Sequence, residues 1–251
     1  MTEQKSANLL LEDGSHFEGF SFGAEKSVSG ELVFSTAMTG YPESLTDPSY
    51  SGQVLVITFP LVGNYGVPSD KIMEDGLQKF FESDKVHIKG LVISDYSFKY
   101  SHWNAVKSLD TWLKEHDVPG IYGVDTRELT KLIRERGSML CKLFPEGMTP
   151  TEKFHDQNSE NLVAKVSTKE IKCYNPEGKY NIVLVDYGAK YNIIRCLMKR
   201  DAKVTCVPWD YDFTQIDYDG VMLSNGPGDP AKCGVAIENI KKAYKVGKPI
   251  F

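Results

Sequence analysis

No run of apolar residues in this chain approaches the roughly 18–20 that a membrane-spanning helix needs, which excludes an integral membrane protein of that kind. An excess of basic residues is also missing. Lys+Arg 29 against Asp+Glu 34 leaves a formal net charge of −5, which argues against a domain that works by neutralising nucleic-acid phosphates. The five cysteines (Cys141, Cys173, Cys196, Cys206, Cys233) are odd in number, scattered and free of CxxC spacing. Neither a disulfide framework nor a zinc site is expected, and the thiols read as reduced. The histidines (His16, His87, His102, His116, His155) form no HxH or HxxxH pair, which argues against a metal site or a Cys–His dyad within the chain. There is no Walker-type phosphate loop and no Gly-x-Gly-x-x-Gly, so nothing predicts nucleotide binding. The first eight residues carry neither an apolar signal core nor an Arg-rich, acid-poor stretch, so the cytoplasm is the expected compartment.

What is present is ordinary globular material. The 251 residues are 41% hydrophobic and 25% charged, enough to bury a core in one large domain or two modest ones. Residues 8–125 read mostly as strands and turns. Asn8–Glu12 is closed by the turn pair Asp13-Gly14, Phe17–Phe20 follows, and Glu31–Ser35, Val54–Phe59 and Gly90–Ile93 are further strand candidates. Two helices interrupt them. Trp103, Val106, Leu109, Trp112 and Leu113 recur at helical spacing and predict a helix over 102–116. Asp125 with Glu128 three residues on predicts the capped start of a second, ending near Arg136-Gly137.

From Pro145 to Gly178 periodicity fades into Pro, Gly, Lys, Asn and Ser, and 151–180 reads as a linker, with Ile171–Lys179 its clearest part. The texture then changes. Asn181–Asp186 is a continuous apolar run ending in a carboxylate, as in a buried parallel strand. A helix with Ile193, Ile194, Leu197 and Met198 on one face follows, then strands at Lys203–Val207 and Gly220–Leu223, and a helix through Val235, Ala236, Ile240 and Ala243. Pro249-Ile250-Phe251 begins another strand. The expected architecture is a two-domain, β-rich and α/β chain. A β-rich α+β domain spans 1–150, and an incomplete doubly wound α/β domain spans 181–251.

Ser224-Asn225-Gly226-Pro227-Gly228-Asp229-Pro230 directly follows the third strand of the second region, where ligands bind in open α/β sheets. Glycine lets backbone approach a ligand and turn N–H groups toward it. Pro227 has no N–H, so the donors are Gly226, Gly228 and Asp229, a set suited to an oxyanion or a carboxylate. The plainer alternative is a tight turn. Cys233 lies near the start of the next helix, whose dipole would lower its pKa, yet no Gly-x-Cys-x-Gly surrounds it. Cys196 and Cys206 fit core positions. Thr39 to Ser51 is a long polar connection that is either a functional loop or a solvated one with a turn at Asp47-Pro48.

Met38-Thr39-Gly40-Tyr41-Pro42-Glu43 through Leu45-Thr46-Asp47-Pro48-Ser49-Tyr50 resembles the small subunit of glutamine-dependent carbamoyl phosphate synthetase. So do Gly63-Asn64-Tyr65-Gly66, Val124 to Thr130, Asp186-Tyr187-Gly188-Ala189-Lys190 with Asn192, and Leu223 to Pro230, in order along the chain. Gly63–Pro68 and Ser101-His102-Trp103 look more like the eukaryotic multifunctional pyrimidine-pathway form than the free bacterial subunit. The resemblance implies an N-terminal small-subunit domain joined to a class I glutamine amidotransferase domain. That pair hydrolyses glutamine and passes ammonia through an internal tunnel to a synthetase, either a large subunit or a fused domain. The synthetase makes carbamoyl phosphate from bicarbonate and ATP, for pyrimidine or arginine biosynthesis.

By the same resemblance, Ser49, Gly226 and Gly228 contact glutamine and the Gly228 N–H serves the oxyanion hole. No cofactor is expected on this chain, ATP and Mg being expected on the synthetase. In the family, Pro-Ile-Phe is followed by the nucleophile elbow Gly-x-Cys-x-Gly-His and later by a His and a Glu. The sequence stops at Phe251, so no catalytic residue is expected within it and the polypeptide alone is expected to be inactive. Two other readings stay open: a non-catalytic docking or regulatory module for a synthetase, and an ammonia-dependent relative with the nucleophile replaced.

Overall fold

A computed structural model describes residues 4–251. The chain divides into two compact units, the first made of residues 1–46, 52–69 and 85–157, the second of 47–51, 70–84 and 158–251. Two short segments from the first third of the sequence thus belong to the second unit.

Elements of the first unit are β1 (Ser6–Leu11), β2 (His16–Gly23), β3 (Val28–Ser35), α1 (Tyr41–Leu45), β4 (Gln53–Ile57), β5 (Leu61–Val62) and β6 (Val67–Pro68). They continue with β7 (Gly90–Val92), β8 (Asp95–Tyr96), β9 (Ala105–Lys107), α2 (Leu109–Glu115), β10 (Pro119–Tyr122), α3 (Thr126–Arg136) and β11 (Met139–Pro145). Seven strands close into a barrel in the order β1-β11-β3-β4-β7-β10-β2. Alternation along β1 sends Ala7, Leu9 and Leu11 inward, as period-2 patterning requires. They meet Leu32, Val54, Val56, Val92, Ile121 and Leu143, with Leu129 and Ile133 of α3 packed on the same core.

Asp125 caps α3 as its sequence suggests, its side chain accepting the Glu128 N–H at 2.9 Å. The helix expected over 102–116 is shorter. Ser108 Oγ accepts the Thr111 N–H at 3.1 Å and starts α2 there, while Ala105–Lys107 pairs with β6 and leaves Trp103 86% exposed. The apolar spacing that includes Trp103 and Val106 therefore runs across a strand and a cap.

The second unit contains α4 (Leu162–Val166), β12 (Lys172–Tyr174), β13 (Tyr180–Asp186), α5 (Tyr191–Met198), β14 (Ala202–Pro208), β15 (Gly220–Leu223) and α6 (Gly234–Val246). Its sheet runs β12-β14-β13-β15, with β13 parallel to both neighbours and β12 antiparallel at the edge. Ile250 bridges in parallel to Val221. The stretch read as linker therefore contains a helix and a paired strand. Side chains leave β13 alternately toward two cores. Leu184 faces Val204, Cys206 and Ile194 of α5, whereas Val183 and Val185 face Val207, Phe213 and Ala243 of α6. This two-faced burial explains the unbroken apolar run.

The 70–84 segment finishes α5. Lys190 at its N-cap offers no side-chain bond, so Glu82 receives the Asn192 N–H on its carboxylate at 2.9 Å and the Tyr191 N–H on its carbonyl at 2.8 Å. No helix among the described residues is long and apolar enough to cross a membrane.

Candidate functional site

The carboxyl ends of β13 and β15 in the second unit each run into a turn. After β13, Asp186 is buried and spends both carboxylate oxygens on backbone amides. Oδ1 accepts Gly188 at 2.9 Å and Ala189 at 2.7 Å, and Oδ2 accepts Thr168 at 2.7 Å. A short acceptor at a strand end is how an Asx turn reverses the chain.

Ser224 links this turn to the one after β15. Its hydroxyl accepts the Tyr187 N–H at 2.9 Å and donates to the Asn225 carbonyl at 2.8 Å. Gly226 then lies so close to the Tyr187 carbonyl that a Cβ there would stand 2.1 Å from the oxygen. Gly228 adopts φ +78, a left-handed conformation that side chains resist. Between them Pro227 is buried, while Gly226, Gly228 and Asp229 face outward. Among the described residues, the amides of Gly226, Gly228 and Asp229 donate to no protein acceptor. Three amides without a protein acceptor in one exposed loop suit an anionic oxygen.

Residues 47–51 meet this loop within the second unit. Pro48–Tyr50 forms a single 3-10 turn capped by Asp47, whose Oδ1 accepts the Ser49 N–H at 2.9 Å. Asp47 Oδ2 lies 3.3 Å from Lys190 Nζ, and Pro48 packs beside Gly188. The half-buried Ser49 hydroxyl receives a hydrogen bond from Asn225 Nδ2 at 2.5 Å. Ser49, distant in sequence from Gly226 and Gly228, is thus brought to their loop. The solvated-loop alternative for 39–51 is not what forms, because Tyr41, Pro42, Leu45, Thr46, Asp47 and Pro48 are all buried.

Cys233 stands at the N-cap of α6 with a buried thiol. Burial pushes it up and the Asp229 carboxylate adds to the shift. Cys141 and Cys206 are buried, with thiols pushed up by the same cause. No group of three or more His, Cys, Asp or Glu among the described residues is placed to hold a metal ion.

The sequence places Asp47, Asp186, Lys190 and Asn225 in these segments but does not assign their hydrogen-bonding roles. Two signals were available: an Asp two residues before Ser49 with Pro48 between, and an Asp closing an apolar strand just ahead of Gly188.

The family described as carbamoyl-phosphate synthase small chain, CPSase domain, matches residues 9–143, and class-I glutamine amidotransferase matches residues 183–251. Multifunctional protein CAD of Squalus acanthias is 54% identical over 244 residues, covering 97% of this chain and 11% of that protein. Multifunctional protein pyr1-3 of Dictyostelium discoideum is 51% identical over 267 residues, covering 99% of this chain and 12% of its own length. The mitochondrial carbamoyl-phosphate synthase (ammonia) of Mus musculus is 49% identical over 250 residues, covering 98% and 16%. The chain therefore spans between 11% and 16% of these three relatives.

Proposed function

Since the chain belongs to the carbamoyl-phosphate synthase small-chain family, we propose that its second unit binds glutamine for hydrolysis and delivers the ammonia to a synthetase partner. The observation that carries this reading is the meeting of Ser49 with the 224–229 loop, through the Asn225–Ser49 hydrogen bond at 2.5 Å. One hydroxyl beside a loop whose amides lack protein acceptors suits an amino-acid substrate, which presents a carboxylate and a side-chain amide carbonyl. The amides of Gly226 and Gly228 bind and polarise oxygen, and the Gly228 N–H stabilises the oxyanion that develops on the amide carbonyl during attack. Ser49 orients the substrate. Cys233, with its thiol pushed up, takes no part in the reaction.

The ammonia is consumed with bicarbonate and ATP to form carbamoyl phosphate. ATP and Mg bind on the synthetase rather than on this chain. The setting is a cytoplasmic multifunctional protein of pyrimidine biosynthesis, in keeping with the similarity to the multifunctional relatives.

A second reading is favoured by the 49% identity to the mitochondrial ammonia-named relative: ammonia is used directly and this region regulates or docks. One assay decides between them. The purified natural protein carrying this chain is given glutamine or ammonium chloride as the nitrogen source for carbamoyl phosphate. Synthesis from glutamine supports the glutaminase reading. Synthesis from ammonium alone supports the second.

A further inference from the structure

We infer that Asn225 is a positioning residue that orients the Ser49 hydroxyl and leaves its proton free, so that Ser49 donates to an acceptor oxygen of the substrate. The inference rests on the glutamine reading and says which kind of atom meets Ser49.

A serine hydroxyl has one proton and two lone pairs, and in isolation it serves equally as donor or acceptor. Here one lone pair is taken, because Asn225 Nδ2 donates to Ser49 Oγ at 2.5 Å. The hydroxyl proton must then point away from Asn225. A group entering opposite Asn225 meets that proton beside the remaining lone pair, and a carboxylate or carbonyl oxygen of the substrate can take the proton.

Both partners of this bond are anchored through their backbones. The Ser49 N–H is held by Asp47 Oδ1 at 2.9 Å, and Asp47 lies 3.3 Å from Lys190 Nζ. The Asn225 carbonyl accepts from Ser224 Oγ at 2.8 Å, and Ser224 in turn holds the Tyr187 amide at 2.9 Å. The Asn225–Ser49 bond adds a restraint on rotation of the two side chains. Fixing a hydroxyl before the substrate arrives lowers the ordering cost of binding. Asn225 is itself exposed, so its removal leaves no buried polar group unpaired.

The test is a double-mutant cycle in the natural protein, reading glutamine KM, kcat with either nitrogen source, and thermal melting. Asn225→Ala frees the Ser49 rotor and should raise glutamine KM about three- to tenfold, the scale of one net hydrogen bond. Asn225→Asp keeps the shape but accepts instead of donating. It captures the Ser49 proton, and its effect should exceed that of Asn225→Ala by about tenfold. Either change made on top of Ser49→Ala should add almost nothing. Ammonium-dependent kcat and melting should stay at the unsubstituted values throughout.

Equal effects of Asn225→Ala and Asn225→Asp, or effects that multiply with Ser49→Ala, would overturn the inference and leave the glutamine reading standing. An unsubstituted protein with no glutamine-dependent synthesis would overturn that reading and this inference with it.

Discussion

Lys190 Nζ lies 3.3 Å from Asp47 Oδ2, joining the turn after β13 to a carboxylate that also caps the Ser49 turn through its other oxygen. Asp47 has 13% of its side chain exposed and Lys190 39%, so the ion pair is partly screened and contributes at most about 1 kcal/mol. The cap contributes about 1 kcal/mol as well, and Asp47→Ala removes both. Asp47→Ala should therefore lower thermal stability more than Lys190→Ala, and it alone should raise glutamine KM by loosening the Ser49 turn. Melting curves beside glutamine kinetics check the order. A Lys190→Ala variant that matches Asp47→Ala in both would place the control in the ion pair.

The two loop glycines should fail for different reasons. Gly226→Ala forces a Cβ to 2.1 Å from the Tyr187 carbonyl, so the loop must move. Gly228→Ala meets only Leu162 at 3.4 Å, and its cost is the left-handed backbone, about 1–2 kcal/mol. Both displace amides from the oxyanion position and should reduce glutamine-dependent turnover toward the 10²–10³-fold scale of about one lost donor. Synthesis from ammonium should be spared in both, and Gly226→Ala should melt at the lower temperature. Equal loss with both nitrogen sources would mark these glycines as folding residues only.

Thiol accessibility gives an independent check on the site's chemistry. Cys173 is exposed, whereas Cys141, Cys206 and Cys233 are buried with thiols pushed up. At pH 8, iodoacetamide should label Cys173 first and reach Cys141 and Cys206 only after unfolding. Cys233→Ala should leave glutamine kinetics unchanged. Rapid labelling of Cys233 at pH 7, slowed by glutamine, would instead return it to the reaction.

Much of the fold was legible because local chemistry and burial agree. The Asn181–Asp186 run is buried on both faces of a parallel sheet, and the Asp125 cap is a one-turn affair. The spacing of Trp103 and Val106 predicts too early a start for α2, because Ser108 supplies the local start signal. Composition leaves the loop at 39–51 open between a functional and a solvated reading because its residues are polar or turn-forming. Its burial depends on partners distant in sequence, and so does Ser49, whose role came from family resemblance rather than from composition. Asn225 had no signal at all. An asparagine in a Gly/Pro loop is ordinary turn material until its amide is found on a hydroxyl from residue 49.

Kinetics of Ser49→Ala in the natural protein, with glutamine and ammonium compared side by side, test most directly whether the 47–51 segment and the 224–229 loop form one glutamine site. Losing a hydrogen bond to a charged group costs about 1.5–3 kcal/mol, which corresponds to about a ten- to hundredfold effect. The account expects that effect mainly as a higher glutamine KM, with ammonium-dependent synthesis and melting temperature unchanged. A glutamine KM equal to that of the unsubstituted protein would contradict it and return Ser49 to a purely structural turn.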